Sequence, residues 1–226
     1  MRKPRIVLIL LPILALSAAI LPVFANGSGE NSTIVGHPHG VVQYFVGDAS
    51  IDGKPVDFGQ VVQPGDRVQT GSASSMDVVF NGQNIIHFAE NTIAVLTISE
   101  NAKTIDMKTG TFAGVFAKLS ALGGTQNLLV RTPTATGGIR GTTFFVKVLD
   151  QNDSYICACH GVVDMTDATD TRTMDVRAPH HQAYVFKKTD SGITVSPGGM
   201  EYHTDAELNS LADKIGYKID WGHLSN

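Results

Sequence analysis

Val130-Arg131-Thr132-Pro133-Thr134-Ala135-Thr136-Gly137-Gly138-Ile139-Arg140-Gly141-Thr142-Thr143-Phe144-Phe145-Val146-Lys147-Val148 is the stretch on which the fold turns. Leu128, Val130 and Thr132 alternate with Leu129 and Arg131, the period of two that suits a strand. Pro133 ends that strand because proline has no N–H for the ladder. Gly137 and Gly138 supply the freedom for a reversal, after which Phe144, Val146 and Val148 share one face and Phe145 and Lys147 the other. An apolar Phe145 on the nominally wet face implies that both faces are partly covered, as in a sheet packed in two layers or coiled on itself.

Outward from this stretch the same alternation recurs. Gly40 to Val46 reads as a first strand, Asp52-Gly53 as a two-residue hairpin, and Val56 to Val62 as its return. Pro64-Gly65-Asp66 makes the next turn and Thr70-Gly71 ends another short strand. Met76, Val78 and Phe80 face one way before a second hairpin at Asn81-Gly82, and Ile85 to Phe88 pairs back. Ile93 to Ile98 follows, and Thr104 to Met107 leads to a turn at Lys108-Thr109-Gly110. Gly114 to Asn127, with Gly123-Gly124, reads as a longer loop, as does Met165 to Met174. Asp175 to Arg177 and Gln182 to Phe186 are closing strands, and Ser196-Pro197-Gly198-Gly199 breaks the pattern. Turn signals about every ten residues indicate an all-β sandwich, barrel or coiled sheet, not βαβ units.

The ordered set of motifs resembles the FecR domain, the envelope-side module of iron-dicitrate sensor proteins and of many other bacterial envelope proteins. Arg131-Thr132-Pro133 followed by Ile139-Arg140-Gly141-Thr142-Thr143-Phe144 is similar to its hallmark. Pro64 to Gly71 is similar to its early GD-x-hydrophobic-x-TG turn, Asn81-Gly82-Gln83 to its glycine hairpin, and Ala89-Glu90-Asn91-Thr92 to the next corner. Lys108-Thr109-Gly110-Thr111 and His160-Gly161-Val162-Val163 match later turns. The resemblance spans roughly Gly40 to Asp164 and implies twisted antiparallel strands, with no reaction attached. Members that regulate transcription carry a sigma-binding helical segment before the membrane helix. Here Met1 to Arg5 alone precede the apolar run, so the resemblance is to a FecR domain without the cytoplasmic anti-sigma segment. Nor is there room after Val163 for a second full receptor-binding domain.

Arg2, Lys3 and Arg5 open the chain, an apolar run extends from Ile6 to Leu21, and Val23-Phe24-Ala25 precedes the polar Asn26. This is the pattern of a secretory signal peptide. An uncleaved anchor is the alternative, since the segment from Ile6 to Ala25, 20 residues, is just long enough to span a bilayer. Cleavage after Ala25 removes 25 of 226 residues and leaves 201, with three of 17 basic residues gone and 14 facing 21 acidic ones, a net charge of −7. Such a surface, without a Lys/Arg cluster, argues against nucleic acid as a partner. Membrane contact is expected through the N-terminal segment alone, if it is not cleaved.

Past the β region, Thr204 and Glu207 form a capping box, Leu208, Leu211, Ala212 and Ile215 make one apolar stripe, and Gly216 stops the helix. Such a stripe covers an edge or end of the β domain, or docks a partner.

The chemistry-bearing candidates are Cys157, Cys159, His160, His180, His181 and His203. Two thiolates and two imidazoles complete a tetrahedral site for zinc or another transition metal. The Cys-x-Cys spacing is shorter than that of the usual finger or ribbon. In a strand, Cys157 and Cys159 point to one face with Cα atoms ~6.6 Å apart, near the upper limit for a disulfide. An exported chain meets oxidants. Metal ligation, a disulfide or redox pair, and unpartnered structural thiols therefore stay open. His180 and His181 point to opposite faces of a strand, so at most one joins a site unless a bulge reorients them. A c-type haem needs two residues between the cysteines, and here there is one. Nucleophile-elbow, zincin and phosphate-loop motifs are missing. Arg140, beside Gly141, is expected at the sheet rim, and His87, between Ile86 and Phe88, as a half-exposed strand residue.

The chain is thus expected to be all-β, a twisted antiparallel coiled sheet or sandwich of the FecR type with a short C-terminal α-helix. Its organisation reads as a signal peptide (1–25), a linker (26–34), the β domain (35–165), closing strands and loops (166–200) and a C-terminal helix and tail (201–226). The expected role is a non-enzymatic binding or signal-relay module of the cell envelope, periplasmic or secreted, with an envelope protein or extracellular ligand as partner. The alternative is a periplasmic metal-binding or thiol-redox protein that uses the Cys157, Cys159 and His160 cluster with one of His180, His181 or His203.

Overall fold

The computed structural model describes residues 39–99, 101–117, 119–122 and 127–224. The signal segment, the linker and Gly123-Gly124 lie outside them. Among the described residues the strands are β1 (Gly40–Val46), β2 (Ala49–Ile51), β3 (Lys54–Pro55), β4 (Val61–Val62), β5 (Asp66–Thr70), β6 (Ser75–Phe80), β7 (Asn84–Phe88) and β8 (Ile93–Ile98). There follow β9 (Lys103–Phe116), β10 (Leu128–Arg131), β11 (Ala135–Val148), β12 (Asp153–Asp167), β13 (Thr173–Ala178), β14 (Gln182–Thr189) and β15 (Gly192–Gly198). Helix α1 (Asp205–Asp213) closes the chain. No described helix is long and apolar enough to cross a membrane.

All fifteen strands belong to one sheet. Long strands let it coil, because their two halves have different neighbours. The first half of β9 pairs with β8 and, in parallel, with β10, and its second half with β7 and β11. β12 likewise pairs with β14 through residues 153–158 and with β13 through residues 161–166. Glycines sit at the bends: Gly141 (φ 93°) and Gly161 (φ 116°) lie beside a register shift between β11 and β12. That left-handed backbone suits glycine alone among residues without strain.

Coiling covers both faces, as Phe145 foretold. The inner face carries Phe80, Phe88, Phe112, Phe144, Val146, Ile156 and Phe186 in one core. Their alternating neighbours Val79, Ile85, Ala113, Val115, Phe145, Tyr155 and Cys157 belong to a second core on the outer face. That face would be wet were it not covered by Leu208, Leu211, Ala212 and Ile219. At about 1.5–3 kcal/mol for each fully buried aliphatic or aromatic side chain, this cover adds several kcal/mol. The capping box forms, with Thr204 accepting from the Glu207 N–H and Glu207 accepting from the Thr204 N–H. At the other end of α1, Lys214 reaches back to Asp77 on β6 at 2.5 Å.

Several expectations are corrected. The reversal near Pro133 falls at Thr132–Ala135, closed by the Thr132 N–H donating to the Ala135 carbonyl at 2.8 Å. Gly137 and Gly138 lie inside β11, opposite Val130 and Leu129. Gly137 is needed for space, since a Cβ there would come within 2.5 Å of the Phe144 ring. Lys108-Thr109-Gly110 is no turn but the middle of β9, where Gly110 (φ 86°) lies against Thr92. β9 continues through Gly114 to Phe116, so the expected loop begins later. Val56 to Val62 does not return as one strand, because a turn at residues 57–60 with Gly59 at φ 80° separates β3 from β4. β12 runs to Asp167 and β13 starts at Thr173, which shortens the next loop. Pro197 is accommodated in β15, which ends the sheet order and leaves its missing N–H without consequence.

Candidate functional site

β12 carries Cys157 and Cys159 on its outer face, both fully buried. Cys157 lies between Phe145 of β11 and Ala183 of β14. Cys159 is the extra residue of a bulge, since Thr143 pairs with His160 and Phe144 with Ala158. Two other segments come to this face. The turn between β13 and β14 brings His181, whose N–H donates to the Cys159 carbonyl at 2.9 Å. The segment before α1 brings His203, and Tyr155 holds that segment by donating its hydroxyl to the Gly199 carbonyl at 2.8 Å and accepting from the Glu201 N–H at 3.2 Å.

One ligand-type atom from each of Cys157, Cys159, His181 and His203 lies within 4.8 Å of all the others. Cys159 Sγ is 3.3 Å from His203 Nε2, and Cys157 Sγ is 3.6 Å from His181 Nδ1. The two ring nitrogens are 3.2 Å apart. The far nitrogen of each ring faces an oxygen that only accepts: His203 Nδ1 donates to the Glu201 carbonyl at 2.7 Å, and His181 Nε2 to the Asp205 carboxylate at 2.6 Å. Both rings therefore carry their fixed proton outward and turn the other nitrogen toward the sulfurs.

The surroundings are tight. Phe145 stacks on His203 at 4.1 Å and Trp221 on His181 at 5.2 Å. The His181 side chain is 5% exposed. His181 (φ 28°) and Tyr202 (φ 65°) both hold left-handed backbone without being glycine. Such strain costs about 1–3 kcal/mol per residue and persists where packing over-determines it.

Electrostatics follow the contacts. The Cys157 thiol is drawn down to about 4 by the hydrogen bond from Cys159, which with those of His181 and His203 overcomes burial. Burial and the neighbouring sulfur push Cys159 up. His181 is raised, because its bonds to Cys157 and Asp205 outweigh burial. For Asp205 the bonds from His181 and His180 outweigh burial and lower it.

Of the six candidates, Cys157, Cys159, His181 and His203 converge and two do not. His160, next to the bulge, donates from Nε2 to the His223 carbonyl at 2.8 Å. His180 turns outward to Asp205 at 3.0 Å. It and His181 sit in a turn, not on a strand, so both reach the same carboxylate while His181 alone reaches the sulfurs. Both cysteines are free thiols. Asp205 and Trp221 were missed as parts of the site; Asp205 had one signal, an acidic residue just inside a helix start.

The other candidates are structural. Arg140 donates from Nε to Asp164 at 2.9 Å, a half-exposed pair across β11 and β12. His87 donates to the buried Asp77 at 2.5 Å. Between α1 and the sheet lies a cavity of about 450 Å³, lined in part by Ala113, Phe145, His203, Leu211 and Lys214.

Residues 66–164 match the family described as FecR protein. Over this part the chain is similar to the FecR family. Two crystal structures of a protein from Parabacteroides distasonis, provisionally assigned as an anti-sigma factor, are similar at 13% identity, with TM-scores of 0.47 and 0.46. The chain spans 59% of their length, and 58% of this chain is covered. No curated protein matches. The two cysteines lie inside the FecR match, whereas His181, His203 and Asp205 lie beyond it.

Proposed function

We propose that the chain is an exported, non-enzymatic FecR-domain module that binds a partner or ligand in a bacterial cell envelope and relays that binding as a signal. The observation that carries this reading is the sealing of the Cys157, Cys159, His181 and His203 cluster. Both sulfurs are wholly buried, so the thiols are closed to a substrate and to thiol–disulfide exchange. The match over residues 66–164 supports a regulatory module. The cavity under α1 has the size of a small-ligand site and a largely apolar wall with a few polar groups, which supports binding. The apolar run from Ile6 to Leu21 with Ala25 after it supports export.

The test is expression of the full chain in a Gram-negative host, followed by fractionation and intact mass. A periplasmic or secreted chain beginning at Asn26, or an envelope-anchored chain accessible to external protease, is the expected result. Full-length chain in the cytosol overturns export. A photo-crosslinking residue in place of Phe58, which is 77% exposed, is expected to give a discrete adduct in the envelope; its absence from both this position and Val46 overturns relay by contact.

A further inference from the structure

We infer that Cys157, Cys159, His181 and His203 together hold one tetrahedral transition-metal ion of the zinc class, with Asp205 and the Glu201 carbonyl as the outer supports of the two imidazoles. The decisive observation is the pair of ring nitrogens 3.2 Å apart. Each ring has its proton fixed on the far side by an acceptor, at 2.7 Å for His203 and 2.6 Å for His181. Two lone pairs thus face each other across a buried, two-sulfur pocket. That arrangement is repulsive unless a cation sits between them, either a proton or a metal ion.

The distances fit a metal. Zinc bonds of about 2.3 Å to sulfur and 2.0–2.1 Å to nitrogen at tetrahedral angles place nitrogens ~3.4 Å apart and sulfur ~3.6 Å from nitrogen. The observed separations are 3.2, 3.3 and 3.6 Å. Imidazole ligands with a carboxylate or carbonyl on the far nitrogen are the usual outer arrangement of metal sites, since it fixes the tautomer and aims the ring. Phe145 and Trp221 supply the apolar shell. A disulfide fits worse, because two cysteines separated by one residue on the same strand face are near the limit of disulfide reach and each sulfur points toward a ring nitrogen.

The donor set identifies the ion class and its role. Two thiolates and two imidazoles in tetrahedral array select zinc over the hard cations and over square-planar copper or nickel. Four protein ligands leave no open position, the mark of a structural centre. Its effect is a clasp: it ties β12, inside the FecR match, to the turn before β14 and to the segment entering α1, joining positions 44 residues apart. Protein ligands from outside the matched segment make this a property of this chain and its extension.

The test uses the full chain purified without chelator or a metal-binding tag. Elemental analysis with a thiol count is expected to give about one zinc per chain and two reduced cysteines. After replacement by cobalt, a thiolate-to-cobalt charge-transfer band and tetrahedral visible bands are expected. So is quenching of Trp221, the one tryptophan in the chain, whose ring stacks on His181. Cys159→Ser and His203→Gln are expected to lower affinity by at least about 100-fold. His180→Gln, at a half-exposed residue outside the four, is expected to keep the ion, the bands and the quenching. Should the buried variants fail to fold, the cobalt spectrum of the parent chain decides alone. A Cys157–Cys159 disulfide, two free thiols that bind no zinc or cobalt, an octahedral cobalt spectrum, iron with inorganic sulfide, or an ion held by His203→Gln with the affinity of the parent chain would each overturn the inference.

Discussion

Asp77→Asn tests how α1 is fastened to the sheet and therefore how the helix bearing Asp205 is held. The Asp77 side chain is 3% exposed and accepts from His87 and Lys214, each at 2.5 Å. An amide of the same shape keeps the volume but loses the charge, and one of its ends turns N–H groups toward a cation. Removing one partner of a buried ion pair costs about 3–5 kcal/mol. Here the partners His87 and Lys214 are 31% and 34% exposed, so solvent recovers part of the loss and about 2 kcal/mol is expected. For a domain of this size that corresponds to a midpoint lower by about 4–8 °C. The pH dependence is a sharper readout. Burial raises the Asp77 carboxyl, but the bonds and charges of His87 and Lys214 outweigh it, so the folded group ionises below its ordinary range. Its contribution is complete above the unfolded value of about 3.9 and is lost as pH falls through the folded value. Thermal melts from neutral to acid pH should show the parent approaching the variant only at the acid end. An unchanged midpoint at neutral pH, or a constant gap down through acid pH, would refute the reasoning.

Gly137→Ala drives a Cβ to 2.5 Å from the Phe144 ring and is expected to cost about 1–3 kcal/mol in denaturant melts, whereas Gly138→Ala, with its nearest atom at 3.5 Å, should be tolerated. Thr204→Ala removes the capping side chain and is expected to cost about 1 kcal/mol, read as faster amide exchange across residues 205–213. Leu211→Ala, on the buried face of α1, should cost about 2–4 kcal/mol; a loss under about 0.5 kcal/mol would show that the helix is not packed on the sheet in solution. Asp205→Asn should weaken zinc uptake by about 10–100-fold in competition titrations, and equal affinity would remove the carboxylate from the site.

The sequence by itself determined the all-β class, because alternation and turn dipeptides are local signals: Asn81-Gly82 and Asp52-Gly53 form the left-handed turns their side chains allow. It also determined the capping box at Thr204 and Glu207, a contact within one helical turn. Phe145 told in advance that the outer face is covered, since a large apolar group on a wet face has a cost that some neighbour must remove. Tertiary structure decided the rest. Gly137-Gly138 and Lys108-Thr109-Gly110 read as turns, yet both run inside strands, because a glycine required by a neighbouring ring or backbone in the fold, Phe144 for Gly137 and Thr92 for Gly110, looks the same locally as one required by a reversal. In the sequence, His160 groups with Cys157 and Cys159 because it is their neighbour, with one further histidine left open among His180, His181 and His203, whereas the fold turns His160 away to His223 and brings in His181 and His203. Which four converge depends on the bulge at Cys159, the left-handed turn at His181 and the docking of α1, and these arise from packing between segments far apart in the chain, where no local pattern can reach.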